Sequence, residues 1–193
     1  MQMDPSAQTD YPLMPELATR RSPRAFDHDA TVTDDQLGSL LEAARWSASS
    51  GNSQPWRLFV AKRGTPLFDA VVETLASGNQ AWAAYPSALI VNVAKVVTDE
   101  GKEEKWAVYD VGQAAAHLSI QATHMGLIVH QMGGFDREAL RQVLGVDEGH
   151  QPWAVLAVGH HGDPALLPEK LQERENNPRV RKPLDEVAPG WRQ

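Results

Sequence analysis

The chain has 193 residues and a formal net charge of −7; with 42% hydrophobic and 22% charged residues it suits one globular domain with its own core. Cysteine is absent, which excludes disulfides, thiolate metal sites and thiol nucleophiles. The acidic balance argues against a nucleic-acid or anionic-membrane surface, and no apolar run approaches the roughly 20 residues of a membrane span. With no segment resembling a signal peptide at its start, the chain reads as cytoplasmic.

Residues 1–15 are polar and interrupted by proline, and they read as a flexible arm. Residues 16–163 carry the regular patterns of one domain, and residues 164–193 form a polar, proline-rich C-terminal extension expected to pack on a partner subunit. Thr33 followed by Gln36 makes a capping box, with Leu37, Leu40, Leu41 and Ala44 at helical spacing behind it. That helix ends in a loop of small polar side chains, Ser47 to Gln54, closed by Pro55 and Trp56. Residues 57–62 read as a strand. Thr65 and Pro66 start a helix whose buried stripe is Leu67, Phe68, Val71, Val72 and Leu75, with Ser77, Gly78 and Asn79 as its end. Residues 87–97 are almost continuously apolar, as a central strand covered on both faces requires.

The longest helix is expected from about Glu103 to Met125. Its alanine-rich side, with Ala107, Ala114, Ala115 and Ala122, admits a close neighbour, either within the chain or across a twofold axis. Residues 127–130 read as a strand leading into a turn at Met132, Gly133 and Gly134. Asp136 caps a helix that runs to Leu144, and residues 153–159 form the last clear strand. Strands and helices alternate irregularly, which points to an α+β layered domain rather than a regular doubly wound sheet.

Three stretches could carry chemistry. Arg20, Arg21, Ser22 and Arg24 set three guanidinium forks and a hydroxyl in an acidic chain; they are either a phosphate-binding group or a solvated basic turn. Arg179, Arg181 and Lys182 repeat the pattern near the other end, and the two clusters would hold a dianion if the fold or dimerisation joined them. The loop from Trp46 to Trp56 can bring backbone and short donors against a flat polar ligand, or it is an ordinary connector rich in turn formers. Gly133 and Gly134 after a strand let main chain approach a flat ring, or they only form a tight turn. The histidines show no metal-binding pattern, no P-loop or nucleophile elbow occurs, and no acid–base pair stands out, as suits a protein whose cofactor carries the reaction.

From about Arg20 to Val187 the chain resembles the nitroreductase family of flavin enzymes. The resemblance rests on three features in order: Arg20, Arg21, Ser22, Pro23, Arg24; then Ser49, Ser50, Gly51, Asn52, Ser53, Gln54, Pro55, Trp56; then Gly126 to Asp136 with Met132, Gly133, Gly134, Phe135. It implies a layered fold around a mixed, mainly antiparallel sheet flanked by helices, an intertwined homodimer, and one FMN in each of two interface sites. It also implies hydride transfer from NAD(P)H to a small-molecule acceptor of nitroaromatic or quinone-like type by a ping-pong route.

By the same resemblance, Arg20, Arg21, Ser22 and Arg24 bind the phosphate, ribityl chain and pyrimidine edge. Ser49, Ser50, Asn52 and Gln54 reach the flavin from the partner, and Asn79 contacts the pyrimidine edge. Gln131, Met132, Gly133 and Gly134 line the ring, with a main-chain N–H of Gly133 aimed at N5, and Arg179 and Arg181 close on the phosphate. Trp82 departs from the pattern, standing where some members have a flavin-side lysine and leaving Arg24 as the cation near N1 and O2. A flavin-binding or redox-sensing module with little turnover is the alternative reading.

Overall fold

The computed structural model describes residues 7–192, so residues 1–6 of the expected arm lie outside it, as does Gln193. Residues 7–14 form no helix or strand. The Ala7 N–H donates to the Ala18 carbonyl oxygen at 2.8 Å, folding this segment onto a short helix α1 (Pro15–Thr19).

A four-stranded sheet organises the domain: β1 (Trp56–Lys62), β2 (Ala88–Lys95), β3 (Ile128–Met132) and β4 (His150–Gly159), in the order β1-β2-β4-β3. All three pairings within the chain are antiparallel. Central β2 is buried on both faces: Ile90 and Ala94 point into one apolar cluster, Leu89, Val91 and Val93 into the other. The first cluster packs beneath α2 (Asp34–Arg45) and α5 (Ala107–His124). The second lies beneath α3 (Pro66–Thr74), α4 (Ser77–Ala83) and α6 (Arg137–Leu144). The result is an α+β three-layer domain, as the irregular alternation predicts. Among the described residues no helix is long and apolar enough to cross a membrane.

Local chemistry sets several element ends where the sequence puts them. The Thr33 hydroxyl accepts the Gln36 N–H and the Gln36 side chain accepts the Thr33 N–H, completing the capping box. Asp136 caps α6, which Gly145 stops at φ 64°. Others differ. Ser77, Gly78 and Asn79 begin a helix instead of ending one, because the chain leaves α3 through an extended Leu75 bridged to Phe135 and re-enters helix after Ala76. The long helix starts at Ala107, since Thr98 donates to Lys102 and Val97 bridges Glu103, holding residues 97–103 as a hairpin. β3 runs on through Gln131 and Met132, and β4 begins at His150, its Pro152 tolerated where the register shifts between Asn92 and Val93.

The alanine face of α5 is taken up inside the chain: Ala107, Ala114 and Ala122 are fully buried with Leu40 and Ala44 of α2 in the same cluster. Trp106, Val108 and Tyr109 stay exposed at its start. The C-terminal extension is more anchored than its composition suggests, for it contains α7 (Glu169–Glu175) and α8 (Leu184–Val187), and Leu167, Leu171 and Glu175 are buried on their own chain.

Candidate functional site

The two arginine segments meet. Arg20, Arg21, Ser22, Pro23 and Arg24, leading from α1 toward the sheet, and Arg174, Glu175, Arg179 and Arg181, at and beyond the end of α7, line one cavity of about 190 Å³. The Nη2 of Arg21 donates to the main-chain oxygen of Glu175 at 2.7 Å, and Arg179 donates to the Ala18 carbonyl oxygen at 2.6 Å. Glu175 is the single acid among the described lining residues; its Oε1 accepts from the Arg24 N–H at 3.1 Å and from Arg24 Nη1 at 3.4 Å. Among the described lining residues, one carboxylate stands with six guanidinium groups. Loss of water, then repulsion from Arg20, Arg181 and Arg21, pushes the Arg179 guanidinium below its ordinary pKa. Crowding of that kind is relieved by a bound anion, and Arg20 and Ser22, 3.3 Å apart, offer forked and hydroxyl donors for one. Lys182 belongs elsewhere, paired with Glu186 at 2.8 Å.

β3 is fastened to this cleft. Buried His130 donates from Nδ1 to the carbonyl oxygens of Ser22 at 2.7 Å and Pro23 at 3.1 Å. Desolvation, then the Arg24 charge, lowers its pKa to about 4, so the ring is neutral at pH 7. Gln131, next along the strand, donates to the Ser119 hydroxyl of α5 at 3.0 Å. Met132 turns its side chain into the core at 2% exposure, which leaves only its main chain to face a ligand. Gly133 is exposed, and a Cβ added there would meet nothing within 4 Å. Asn79 lies beside Gly134, donating to its carbonyl oxygen at 3.1 Å. Segments 20–24, 131–134, 179–181 and Asn79 are thus linked in one chain.

Trp82 brings no polar group to the cleft. It is wholly buried, stacked on Phe26 at 5.8 Å and tilted against His130 at 4.7 Å, so it occupies the core rather than the cleft wall.

The loop bearing Ser49, Ser50, Asn52 and Gln54 is elsewhere. It feeds β1, at the opposite edge of the sheet from β3, and three strand spacings of ~4.8 Å put those edges about 14 Å apart. Its backbone is left-handed at Gly51 (φ 56°), Asn52 (φ 57°) and Gln54 (φ 48°). It is tied down by Ser50 N–H to Asp110 Oδ2 at 3.0 Å and by Gln54 N–H to the Ser49 hydroxyl at 3.1 Å. It contributes no side chain to the arginine cavity.

Residues 17–160 match the model of the Nitroreductase family. The chain belongs to the nitroreductase family. A crystal structure of an FMN-containing oxidoreductase superposes with a TM-score of 0.90 at 34% identity, covering 97% of this chain and 96% of that one. An uncharacterised 15.4 kDa protein of Mycolicibacterium smegmatis is 42% identical over 68% of this chain and 93% of its own. The oxygen-insensitive NAD(P)H nitroreductase of Salmonella typhimurium is 25% identical over 74% of this chain and 85% of its own.

For a nitroreductase-family chain, three groups stand out that the sequence did not single out: Glu175, His130 and Asp110. Glu175 carries no motif. His130 sits in a strand next to Gln131 with no motif around it, and Asp110 looks like one more acid in a helix's first turn. Only burial, at 9%, 9% and 2% exposure, sets them apart.

Proposed function

We propose that this chain is an FMN-dependent NAD(P)H oxidoreductase of the nitroreductase type, working as a homodimer on a small-molecule acceptor. The observation that carries the reading is the joining of two distant arginine segments around one cleft, whose described lining holds six guanidinium groups and one carboxylate. The residues present fit FMN. Arg20, Arg21, Arg179 and Arg181 would hold the phosphate, with Ser22 donating to it or to the ribityl chain. Asn79 and Arg24, the latter already steadied by Glu175, would meet the pyrimidine edge. Gln131, the main chain of Met132, and Gly133 with Gly134 would border the ring, where Gly133 offers room and an N–H.

A cavity of about 190 Å³ takes a phosphate and part of its ester, while drug-sized ligands need roughly 300–1,000 Å³. One chain therefore supplies only part of the site. The loop of Ser49, Ser50, Asn52 and Gln54, exposed at the opposite sheet edge beside apolar Trp46, suits covering the flavin of a second copy in a twofold dimer. FMN, when bound, supplies the chemistry, accepting hydride from NAD(P)H and passing it in a ping-pong order to a nitroaromatic or quinone-like acceptor. The protein's own work is positional, and no side chain is required to exchange a proton.

The absorbance spectrum of the purified protein, followed by anaerobic addition of NADPH or NADH, tests this. A yellow protein that bleaches with the nucleotide and recovers with a quinone supports it. A colourless protein that takes up no added FMN overturns it, and bound FMN that neither nucleotide reduces leaves only a binding module.

A further inference from the structure

We infer that Asp110 is the positioning residue for the loop of residues 49–54, fixing from inside its own chain the shape that the loop presents to a flavin; this rests on the reading of that loop as a cofactor segment. Asp110 is 2% exposed, in the first turn of α5, and no step of the proposed chemistry uses it. Its Oδ2 accepts the Ser50 N–H at 3.0 Å, and its Oδ1 accepts from Gln113 Nε2 at 3.4 Å. Seven residues on, two turns along the same helix face, His117 Nδ1 shares a 2.8 Å hydrogen bond with the Ser47 hydroxyl. The loop is thus pinned to α5 at both the residue that ends its approach and the residue that starts its 3-10 turn.

The pin has something to hold. Asn52 and Gln54 are the two non-glycine residues with positive φ among those described, and both lie within four positions of Ser50. Left-handed backbone at non-glycine residues persists only where surroundings over-determine it. A buried carboxylate accepting a main-chain N–H is a charge-assisted bond, and here it selects the one turn that aims residues 51–54 outward, where they are exposed. In a dimer the same bond would make α5 of one subunit the support for the other subunit's flavin.

The test compares Asp110→Ala and Asp110→Asn with the wild-type dimer. Readouts are Ser50 amide exchange, FMN affinity by flavin fluorescence, and circular dichroism to confirm folding. Asp110→Ala should accelerate Ser50 exchange and weaken FMN binding, each by about tenfold or more. Asp110→Asn keeps an acceptor oxygen and should restore both to within about threefold. Ser50→Pro against Ser50→Ala removes the same N–H without disturbing the helix; Ser49 is extended at φ −146° and ψ 153°, which a following proline accepts. The Pro variant alone should lose the additional affinity. Wild-type uptake of FMN with equal affinity in Asp110→Ala and Ser50→Pro overturns the inference. So does faster Ser50 exchange with unchanged affinity, because the pin then positions nothing that FMN meets. A wild-type protein that binds no FMN overturns the functional reading itself, a result distinct from either.

Discussion

Arg21 and Glu175, 154 residues apart, are joined by a 2.7 Å hydrogen bond from the guanidinium to a main-chain carbonyl oxygen. Glu175 in turn gives its carboxylate to the main chain and side chain of Arg24. These bonds fasten the end of α7 to the segment after α1 and tie the two halves of the cleft lining together. If the proposed phosphate binds there, lining segments already tied together leave less ordering to offset its affinity.

The first consequence concerns the arginines themselves. Arg20→Ala with Arg181→Ala removes two guanidinium groups from the cavity lining while leaving the Arg21–Glu175 and Arg179–Ala18 bonds in place. Each charge-assisted bond to a phosphate is worth about 1.5–3 kcal/mol, so the pair should weaken FMN at least about a hundredfold. Melting temperature should fall little, since neither side chain holds the core. Flavin fluorescence on dilution of the loaded protein reads the affinity, and full FMN retention by the double variant contradicts the assignment.

Two glycines should part company. A Cβ at Gly162 would lie 2.4 Å from the carbonyl carbon and oxygen of Phe26 and 2.6 Å from the Asp27 nitrogen, all backbone, where Gly162 N–H bonds the Ala25 oxygen. Gly162→Ala must force two chain segments apart and should cost about 1–3 kcal/mol of stability. Gly133→Ala meets nothing within 4 Å, so its melting point should match the wild type while its methyl intrudes where the flavin ring is proposed. Thermal denaturation of the apoproteins and FMN titration together check the pair; an unchanged FMN affinity in Gly133→Ala removes that residue from the ring's border.

What the sequence made legible is what local rules encode. Thr33 with Gln36, Thr65 with Pro66, and Asp136 with Gly145 all act as caps or stops where their chemistry says they should. The arginine clusters were visible as charge, but nothing in one dimension says they meet; that depends on α7. The helix α7 reads as a polar tail because only Leu171 and Glu175 of its seven residues are buried. The helix α4 was hidden because Ser77, Gly78 and Asn79 have turn composition and Ala76 supplies no side-chain cap. The expected strand over residues 153–159 is three residues short of β4, whose Pro152 sits at the register shift between Asn92 and Val93. Asp110 could not be told from a solvated acid, since the Ser50 N–H it accepts lies sixty residues away in the chain.

His130 gives the fold a pH dependence. Its folded pKa of about 4 lies below the ordinary 6.5, mainly through desolvation. Between these values the unfolded chain binds more protons than the folded one, so this group's contribution is fully present above pH 6.5 and is lost as pH falls toward 4. The whole window is worth about 3 kcal/mol. His130→Gln should abolish that portion of the slope, although carboxylates such as Asp27, Asp147 and Glu16, held low by hydrogen bonds, still lose stabilising contacts near pH 4. Urea unfolding at pH 4.5, 5.5 and 7 reads it. Parallel curves for wild type and variant would mean that the imidazole is not neutral in the folded protein.

The separation of the two sheet edges makes the shared site testable by mixing subunits. The Arg20→Ala, Arg181→Ala double variant carries an intact loop of residues 49–54, and Asn52→Ala carries intact arginines. In a mixed dimer, one site pairs the good arginines of one chain with the good loop of the other, and its twin combines both defects. After unfolding and refolding an equimolar mixture, about a quarter of all sites should therefore bind FMN as the wild type does, although neither parent does so alone. Titrating the mixture with FMN should give a tight phase of that amplitude followed by a weak one. If the loop served the cleft of its own chain instead, every site in the mixture would keep one defect and no tight phase would develop. Asn52 has a φ of 57° and is exposed, and its replacement by Ala carries a small backbone cost, so Asn52→Gly serves as the control that removes the amide without that strain. Both loop variants should give the same complementation, because it reads the amide's contact across the interface rather than the shape of the turn.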